Sequence, residues 1–299
     1  MKYKKYAAYY LMLLPAIIFF IVFNYIPMSG IYYAFTRFSF TGGLFGSPFV
    51  GFENFKYLFK SGTLLRITRN TVLYNIAFIS ISNICQVLIA VMISRVAGRV
   101  FKRISQSLLL FPYFVSFVIL RVLVYNLFNY EFGIVNGILR SGGLPPYDFY
   151  NKPFLWPALI VFFYLWKNIG YGTVIYLASI TGIDPELYES AAMDGAGTFK
   201  QIRYITLPLI KPTFVILFLF SLGSILKGQF ELFYQLIGSN GNLFSMTDII
   251  DTFVYRSLTF DFDIGRSSAA GVYQSVFGFI LIMAVNTIIK KRNPDYALF

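Results

Sequence analysis

Long apolar stretches, separated by shorter polar segments, dominate this 299-residue sequence. Three of them, residues 6–36, 70–94 and 267–289, contain no charged side chain. A helix needs about 20 apolar residues to cross a bilayer, so each of these stretches is long enough to do so. The whole pattern predicts six transmembrane helices, near residues 7–28, 71–94, 107–129, 154–180, 209–237 and 267–289.

The positions of the basic residues predict the orientation of these helices. Six spans place both termini on the same side of the membrane. Thirteen Lys and Arg fall on that side and nine on the other, with five of the nine in the long segment 29–70. Short cytoplasmic loops are rich in Lys and Arg, and long loops follow this rule less closely. We therefore expect both termini in the cytoplasm and segment 29–70 outside the cell.

Composition favours a membrane protein and argues against a nucleic-acid-binding or metal-binding protein. Charged residues make up 13% of the chain, against about 25% in soluble globular proteins. Lys and Arg beside the spans explain the net charge of +12, so we expect no nucleic-acid partner. The chain has no histidine and one cysteine, Cys85, which excludes an internal disulfide and a cysteine–histidine metal site. The expected fold is an all-α polytopic membrane protein without a metal or cofactor of its own.

The outer segment contains a short amphipathic pattern. Phe52, Phe55 and Phe59 recur at three- and four-residue spacing, which predicts a short helix with one apolar face on the outer surface. Such a helix either braces the bundle or offers a docking surface to an outside partner.

Residues 184–208 form a polar insert, called the polar loop in later sections, between two apolar stretches. Asp184 followed by Pro185 predicts the start of a helix, and Gly195 predicts its end. A capping-box pattern at Thr198 predicts a second short helix. The first helix is acidic and rich in alanine, whereas helices that lie on a bilayer are usually rich in lysine. Contact with another protein is therefore favoured over the alternative of a loop lying on the membrane.

The spacing within this insert resembles a family motif. Permease subunits of binding-protein-dependent ABC importers carry Glu-Ala-Ala, three residues, a glycine, nine residues, and then Ile-x-Leu-Pro. This chain matches it with Glu189-Ser190-Ala191, Gly195 and Ile205-Thr206-Leu207-Pro208, departing only by a serine for the first alanine. The flanking stretches DPELYESAAMDGA, WKNIGYGTVIYLASI and VGFENFKYLF resemble the carbohydrate-importer branch. The likeness covers nearly the whole chain and is strongest to oligosaccharide and polysaccharide permeases of Gram-positive bacteria.

The resemblance implies a type I ABC importer permease fold in the bacterial plasma membrane. It implies one permease domain over residues 1–299, with core spans at about 71–290 and a coupling helix in the insert. The coupling residues would be Glu189, Ser190, Ala191, Asp194, Gly195, Ile205, Leu207 and Pro208. The implied partners are a second, related permease, two cytoplasmic ATPase subunits, an external solute-binding protein and membrane lipid. The resemblance also implies that ATP and Mg bind the ATPase, and the absence of a G-x-x-x-x-G-K-[ST] phosphate loop from this sequence supports that division.

Four ionisable residues fall inside predicted spans, namely Arg121, Lys167, Lys227 and Glu231. Each would cost about 2.5–3.5 kcal/mol at the centre of a lipid-facing helix, so we expect all four to face the bundle interior or water. Lys227 and Glu231 are four residues apart on one predicted helix and form a possible ion pair.

Aromatic residues accompany these charges one helical turn away. The predicted substrate path comprises Arg121, Tyr125, Phe163, Lys167, Tyr171, Lys227 and Glu231. Three cations and one anion suggest an anionic sugar such as a uronate. The alternatives are that a second permease supplies acidic partners, that the cations bond to backbone carbonyls, and that the aromatic rings belong to interfacial belts or to helix packing.

Other functions remain open at this point. A stand-alone secondary transporter or channel would leave the glycine-turn insert unexplained, and no half-to-half repeat supports it. A membrane enzyme would lack the usual metal and general-base groups. The chain could also be an ABC permease for a non-sugar solute such as a peptide or amino acid, and only the resemblance of the flanking stretches argues against that interpretation.

Overall fold

The structure is a computed structural model that describes residues 2–96, 98–223 and 225–292, and most of these residues are helical. Among them, the only strand-like pairing is an isolated bridge between Thr36 and Phe49. The predicted all-α fold is confirmed. The α-helices, in chain order, are α1 (Lys2–Phe20), α2 (Gly43–Gly46), α3 (Glu53–Lys60), α4 (Thr63–Arg95), α5 (Arg99–Leu110), α6 (Phe117–Phe128), α7 (Ile134–Ser141), α8 (Trp156–Thr181), α9 (Pro185–Met193), α10 (Thr198–Gln201), α11 (Leu207–Leu222), α12 (Phe230–Ile237), α13 (Phe244–Thr247), α14 (Ile250–Thr259) and α15 (Ile264–Arg292).

Five segments in the described part of the chain are long and apolar enough to cross a membrane. They are Tyr9–Phe35, Thr63–Arg95, Pro153–Thr181, Thr198–Leu222 and Ile264–Lys291. A further pair of helical segments passes the same test together and is bent by 92° at the break between them. When that pair, Arg99–Phe114 and Phe117–Phe128, is counted as one span, the number equals the six predicted.

The predicted span 107–129 is this broken pair, so its continuity was predicted wrongly. The first part ends in a 3-10 turn that closes at Phe114. The next helix begins after Ser116, whose hydroxyl accepts the Ile119 N–H (3.3 Å) as an N-cap. Pro112 lies in the 3-10 turn and cannot donate a backbone hydrogen bond. Local sequence therefore provides both the end of one helix and the start of the next.

The predicted helix 209–237 is also interrupted. Helix α11 ends at Leu222, and α12 begins only at Phe230. Between them, the Gly228 N–H donates to the Asp251 carboxylate (2.7 Å) and not to a helical carbonyl. A Cβ on Gly228 would lie 2.4 Å from that carboxylate, so a larger residue would have to displace the Asp251 side chain.

This interruption removes the predicted one-turn ion pair. Lys227 lies in the non-helical segment between α11 and α12, and Glu231 lies in the first turn of α12. The two residues therefore do not occupy neighbouring turns of a common helix, and the prediction that they do is wrong. The physical cause is the contact made by Gly228, because it prevents a continuous helical hydrogen-bond ladder here.

Met1–Leu64 and Phe253–Ser275 form one compact unit. Its helix α3 is the short helix predicted around the repeated phenylalanines, and its residue Leu58 is fully buried. The Arg266 guanidinium carbon lies 3.7 Å from the centre of the Tyr57 ring. A cation at this distance from a ring face is attracted by the ring quadrupole, so this contact joins the two parts of the unit.

Leu65–Thr252 and Val276–Phe299 form the second unit. Its main core gathers side chains from α4, α6, α8 and α12, including Tyr74, Phe78, Leu120, Val124, Trp156, Ile160, Phe163, Leu232, Phe233 and Leu236. A second cluster lies nearer the polar insert and contains Ala90, Val91, Ile93, Tyr176, Leu177, Ile180 and Ile210. Helices α4 and α8 contribute to both clusters and so form the frame on which the insert and the broken span are held.

The backbone of helix α8 packs directly against the backbone of the broken span. A Cβ on Gly170 would lie 1.9 Å from the carbonyl oxygen of Leu109, on α5. A Cβ on Gly172 would lie 2.2 Å from the side chain of Gln86, on α4. At Gly170 the neighbour is backbone and cannot move aside, so only glycine there allows α8 to pack this closely, and the packing brings Lys167 to the break.

Candidate functional site

The polar loop, residues 184–208, folds into two short helices joined at Gly195, as predicted. At the start of α9, the Asp184 carboxylate accepts the Glu186 N–H (3.0 Å). Gly195 has a φ of +78°, in the left-handed region where glycine ends helices without strain. A larger residue at this turn would be strained.

Helix α9 and the turn after it present their side chains to the exterior. Helix α9 contains no buried residue, and Met193 is 84% exposed. Two of the predicted coupling residues, Ala191 and Ile205, are partly buried. The others are exposed, namely Glu189, Ser190, Asp194, Gly195, Leu207 and Pro208. In this chain the face is therefore open to another surface.

The second short helix begins differently from the prediction. The N-cap of α10 is Gly197, which has no side chain to bond, so Thr198 and Gln201 do not form the predicted capping box. The Gln201 amide donates instead to the carbonyls of Tyr188 (3.5 Å) and Ala196 (3.2 Å). Gln201 therefore ties α10 back to α9.

Pro208 does not interrupt the chain at the start of the fifth span. A π-helical turn, Ile202–Thr206, leads directly into α11, and Pro208 lies in the first turn of that helix. Proline is tolerated there because the first N–H groups of a helix have no intrahelical partner. The polar loop is thus continuous with the fifth span.

The break in the third span is the second feature of the site, and Lys167 reaches it from α8. Its ammonium donates to the carbonyl oxygens of Tyr113 (2.8 Å) and Val115. The same nitrogen lies 4.8 Å from the centre of the Phe117 ring. Lys167 is only 7% exposed. Backbone carbonyls and a ring face therefore surround its charge, which is one of the alternatives that the sequence left open.

Two other predicted path residues accompany Lys167. Tyr171 is exposed and stacks on Tyr113, with ring centres 5.2 Å apart and an interplanar angle of 16°. Glu231 is exposed and close enough for its charge to act on Lys167. Phe163, in contrast, is 4% exposed and belongs to the main core. Its position supports packing rather than access to a path.

A second group of predicted residues lies along α6. The Tyr125 ring centre is 5.9 Å from that of Tyr150. Arg121 is exposed, and its charge acts on Tyr150. Burial raises the pKa of Tyr150 to about 12; the neighbouring Tyr125 raises it too, and Arg121 opposes this. Arg121 is therefore an exposed cation beside aromatic rings. Lys227, the remaining predicted path residue, is exposed in the segment between α11 and α12.

Comparison with known proteins decides the family. The family described as binding-protein-dependent transport system inner membrane component matches residues 82–293, which include both the polar loop and the broken span. The chain belongs to this family. It is therefore a multi-pass transport subunit of the bacterial plasma membrane and not an enzyme. A stand-alone transporter and a membrane enzyme are both excluded by this membership.

Relatives and solved structures agree with this membership. The chain is 34% identical over 286 residues to the polygalacturonan/rhamnogalacturonan transport system permease protein YteP of Bacillus subtilis, covering 96% of this chain and 88% of that protein. It is 27% identical to the trehalose/maltose transport system permease protein MalF of Thermococcus litoralis, covering 97% and 95%. A chain of the bacterial alginate ABC transporter, solved with a periplasmic protein bound to an alginate pentasaccharide, matches with a TM-score of 0.85, 31% identity and 96% coverage of both chains.

Several contacts in the site were not predicted from the sequence. Pro112 and the N-cap serine at 116 are ordinary signals of a helix break and could have located it. Tyr150 and Gln201 carry no comparable signal, because the groups that they contact are distant in sequence or lie across the loop.

Replacing Lys167 tests its role at the break. Lys167→Met keeps the length of the side chain but leaves the carbonyls of Tyr113 and Val115 without this donor. We expect a loss of about 1–3 kcal/mol in the free energy of unfolding, the usual cost of an unsatisfied buried group. Lys227→Met is the matched control, because Lys227 is exposed, and a change within about 0.5 kcal/mol is expected there. Thermal unfolding of the detergent-purified protein measures both, and equal midpoints would contradict the role assigned to Lys167.

Proposed function

We propose that this chain is the membrane subunit of an ATP-driven importer of oligosaccharides, with acidic sugars as the favoured substrate class. It would form the translocation path with a second, related permease. Two cytoplasmic ATPase subunits would bind ATP and Mg, and an external solute-binding protein would deliver the sugar. The observation that carries this proposal is the exposed α9 and its Gly195 turn, inside a chain whose relatives are sugar permeases.

The polar loop is suited to transmit force from another protein. Helix α9 contains no buried residue, and after the Gly195 turn the chain runs through α10 and the π-helical turn directly into α11. A helix end is rigid, whereas a flexible loop would absorb a displacement. Closure of an ATPase dimer against α9 would therefore displace α11, the fifth span.

The distribution of basic residues supports a cytoplasmic position for this loop. Lys200 and Arg203 lie in this loop. Arg99 and Arg103 lie at the start of α5, just after the end of α4. Short loops that carry Lys and Arg are retained in the cytoplasm. Both termini lie on that side in this proposal, and segment 29–70 faces the exterior.

The acidic nature of the substrate is supported from two directions. One matched transporter imports alginate, described as an acidic polysaccharide, and one relative is named for polygalacturonan, a polymer of uronates. Within this chain, Lys167 is occupied by backbone carbonyls. Arg121 is exposed beside Tyr125 and Tyr150, so it is the cation placed to meet a carboxylate while the rings contact the C–H faces of a sugar.

A bulky residue at Gly195 tests the coupling role. Gly195→Trp places a large side chain at a φ of +78°, where a Cβ would have no heavy atom of this chain within 4 Å. The variant should fold but should no longer fit an ATPase surface. We expect wild type to retain an ATPase subunit and a second permease when it is extracted gently from its native membrane, and the variant to lose the ATPase.

Gly143→Trp is the matched control for this experiment, because Gly143 has a similar φ of +73°, also has open space around it and lies in a loop assigned to the opposite face. It should retain the ATPase. Extraction of the wild-type chain without any ATPase would contradict the proposed function.

Substitution of Arg121 tests the substrate class. Uptake of a galacturonate trisaccharide is compared with that of maltotriose in membranes containing the complete transporter. Arg121→Gln should reduce uptake of the uronate about tenfold, which corresponds to about 1.4 kcal/mol, and should leave the neutral sugar unchanged. Arg121→Lys, which retains the charge, should restore most of the uronate uptake. Preferential uptake of maltotriose by wild type, with no effect of Arg121→Gln, would contradict an acidic substrate.

A further inference from the structure

Arg95 is the last residue of α4, and its side chain reaches the polar loop. One guanidinium nitrogen donates to the Gln201 side-chain oxygen (2.9 Å), and another donates to the Thr206 hydroxyl (3.4 Å). The guanidinium carbon lies 4.8 Å from the centre of the Tyr188 ring. One side chain therefore touches α9, α10 and the π-helical turn, which together make up the loop.

We propose that Arg95 is a positioning residue that fastens the polar loop to α4, so that a displacement of α9 moves the second and fifth spans together. This inference rests on the proposed function, because it concerns the loop that would receive the ATPase. It assigns a coupling role to a residue outside the loop and outside the family motif.

The three residues that Arg95 contacts are also bonded to one another. The Tyr188 hydroxyl and the Thr206 hydroxyl lie 3.0 Å apart. The Gln201 amide nitrogen donates to the Tyr188 carbonyl. Thr206 is fully buried, so its hydroxyl has a fixed surrounding. Arg95 thus joins α4 to a set of side chains that are already bonded to one another.

The helix on the other side of this contact is anchored as well. Just before Arg95, the α4 residues Ala90 and Val91 pack in the cluster that includes Tyr176 and Ile210, on α8 and α11. Elsewhere α4 and α11 are separated by a groove of about 300 Å³, lined by residues such as Leu88 and Phe214. The apolar packing between α4 and α11 is therefore incomplete, and the polar contacts of Arg95 add a further connection between α4 and the turn that leads into α11.

Arginine suits this position because its guanidinium is planar and has five donors in a fixed arrangement. Lysine could keep the charge but has a single nitrogen, which cannot hold the separate acceptors on Gln201 and Thr206 in the same way. A basic residue at the end of a helix also stabilises that helix by itself. The test must therefore include a measurement that a simple helix-stabilising role would leave unchanged.

The experiment uses the complete transporter, with both permeases, the ATPases and the binding protein, in lipid vesicles. Wild type is compared with Arg95→Met, Arg95→Lys and Thr206→Val. Arg103→Met is the control, because it removes one exposed arginine from the neighbouring helix α5. Three quantities are measured: amide hydrogen exchange in residues 185–206, ATP hydrolysis, and uptake of a galacturonate trisaccharide per ATP hydrolysed.

We expect Arg95→Met to speed exchange in the loop about tenfold and to lower uptake per ATP at least fivefold, with ATP hydrolysis within twofold of wild type. Arg95→Lys should be intermediate in both. The effects of Arg95→Met and Thr206→Val should not add in the double variant, because both act through one contact. If Arg95→Met does not fold, Arg95→Lys and Thr206→Val carry the same test.

Two results would overturn the proposal. Uptake per ATP equal to that of Arg103→Met would show that Arg95 plays no part in coupling, whether or not the exchange in the loop changes. Exchange equal to that of the control would show that Arg95 does not hold the loop. A wild-type complex that retains no ATPase would instead contradict the proposed function, and hydrogen exchange would still decide whether Arg95 holds the loop.

Discussion

Backbone N–H and C=O groups within a membrane must find partners inside the protein, because lipid offers none. The helical spans meet this requirement by themselves. The interrupted segments meet it through a few polar side chains. Lys167 donates to the carbonyls at the break in the third span, and the Asp251 carboxylate accepts the Gly228 N–H. The Asn70 side chain likewise donates to the carbonyl of Asp248 (3.0 Å). The irregular parts of the second unit depend on these bonds.

This requirement explains which features could be predicted from the sequence. The spans follow from hydropathy, and the start and turn of α9 follow from Asp184 and Gly195, because these signals are local. The helix 209–237 was predicted as continuous because nothing near Gly228 indicates that its N–H bonds to Asp251, 23 residues away. The capping box at Thr198 failed for a similar reason, since the Gln201 amide bonds to carbonyls outside its own helix.

The charged residues within the spans show the same limit. An isolated charge in lipid is costly, so the sequence predicts that all four face the bundle interior or water. The sequence could not indicate which of them is satisfied by the protein itself. Lys167 is buried against carbonyls, whereas Arg121 is exposed beside aromatic rings. The first bonds the backbone at the break, and the second has an exposed side chain in this chain.

The two ends of the second unit therefore differ in their chemistry. Around the broken span, buried polar side chains hold an irregular backbone in place. At the polar loop, the bonded side chains lie behind α9, and its outer face remains open. An open and acidic helix is suited to be held by another protein.

The most direct test of this account is photo-crosslinking from position 193 in native membranes. Met193 is 84% exposed on α9, and Phe154, 74% exposed and assigned to the opposite face, is the control position. A photoreactive phenylalanine at 193 should crosslink to a cytoplasmic ATPase subunit, and the same residue at 154 should not. Crosslinks from 193 to lipid alone would place α9 on the membrane surface and contradict the account.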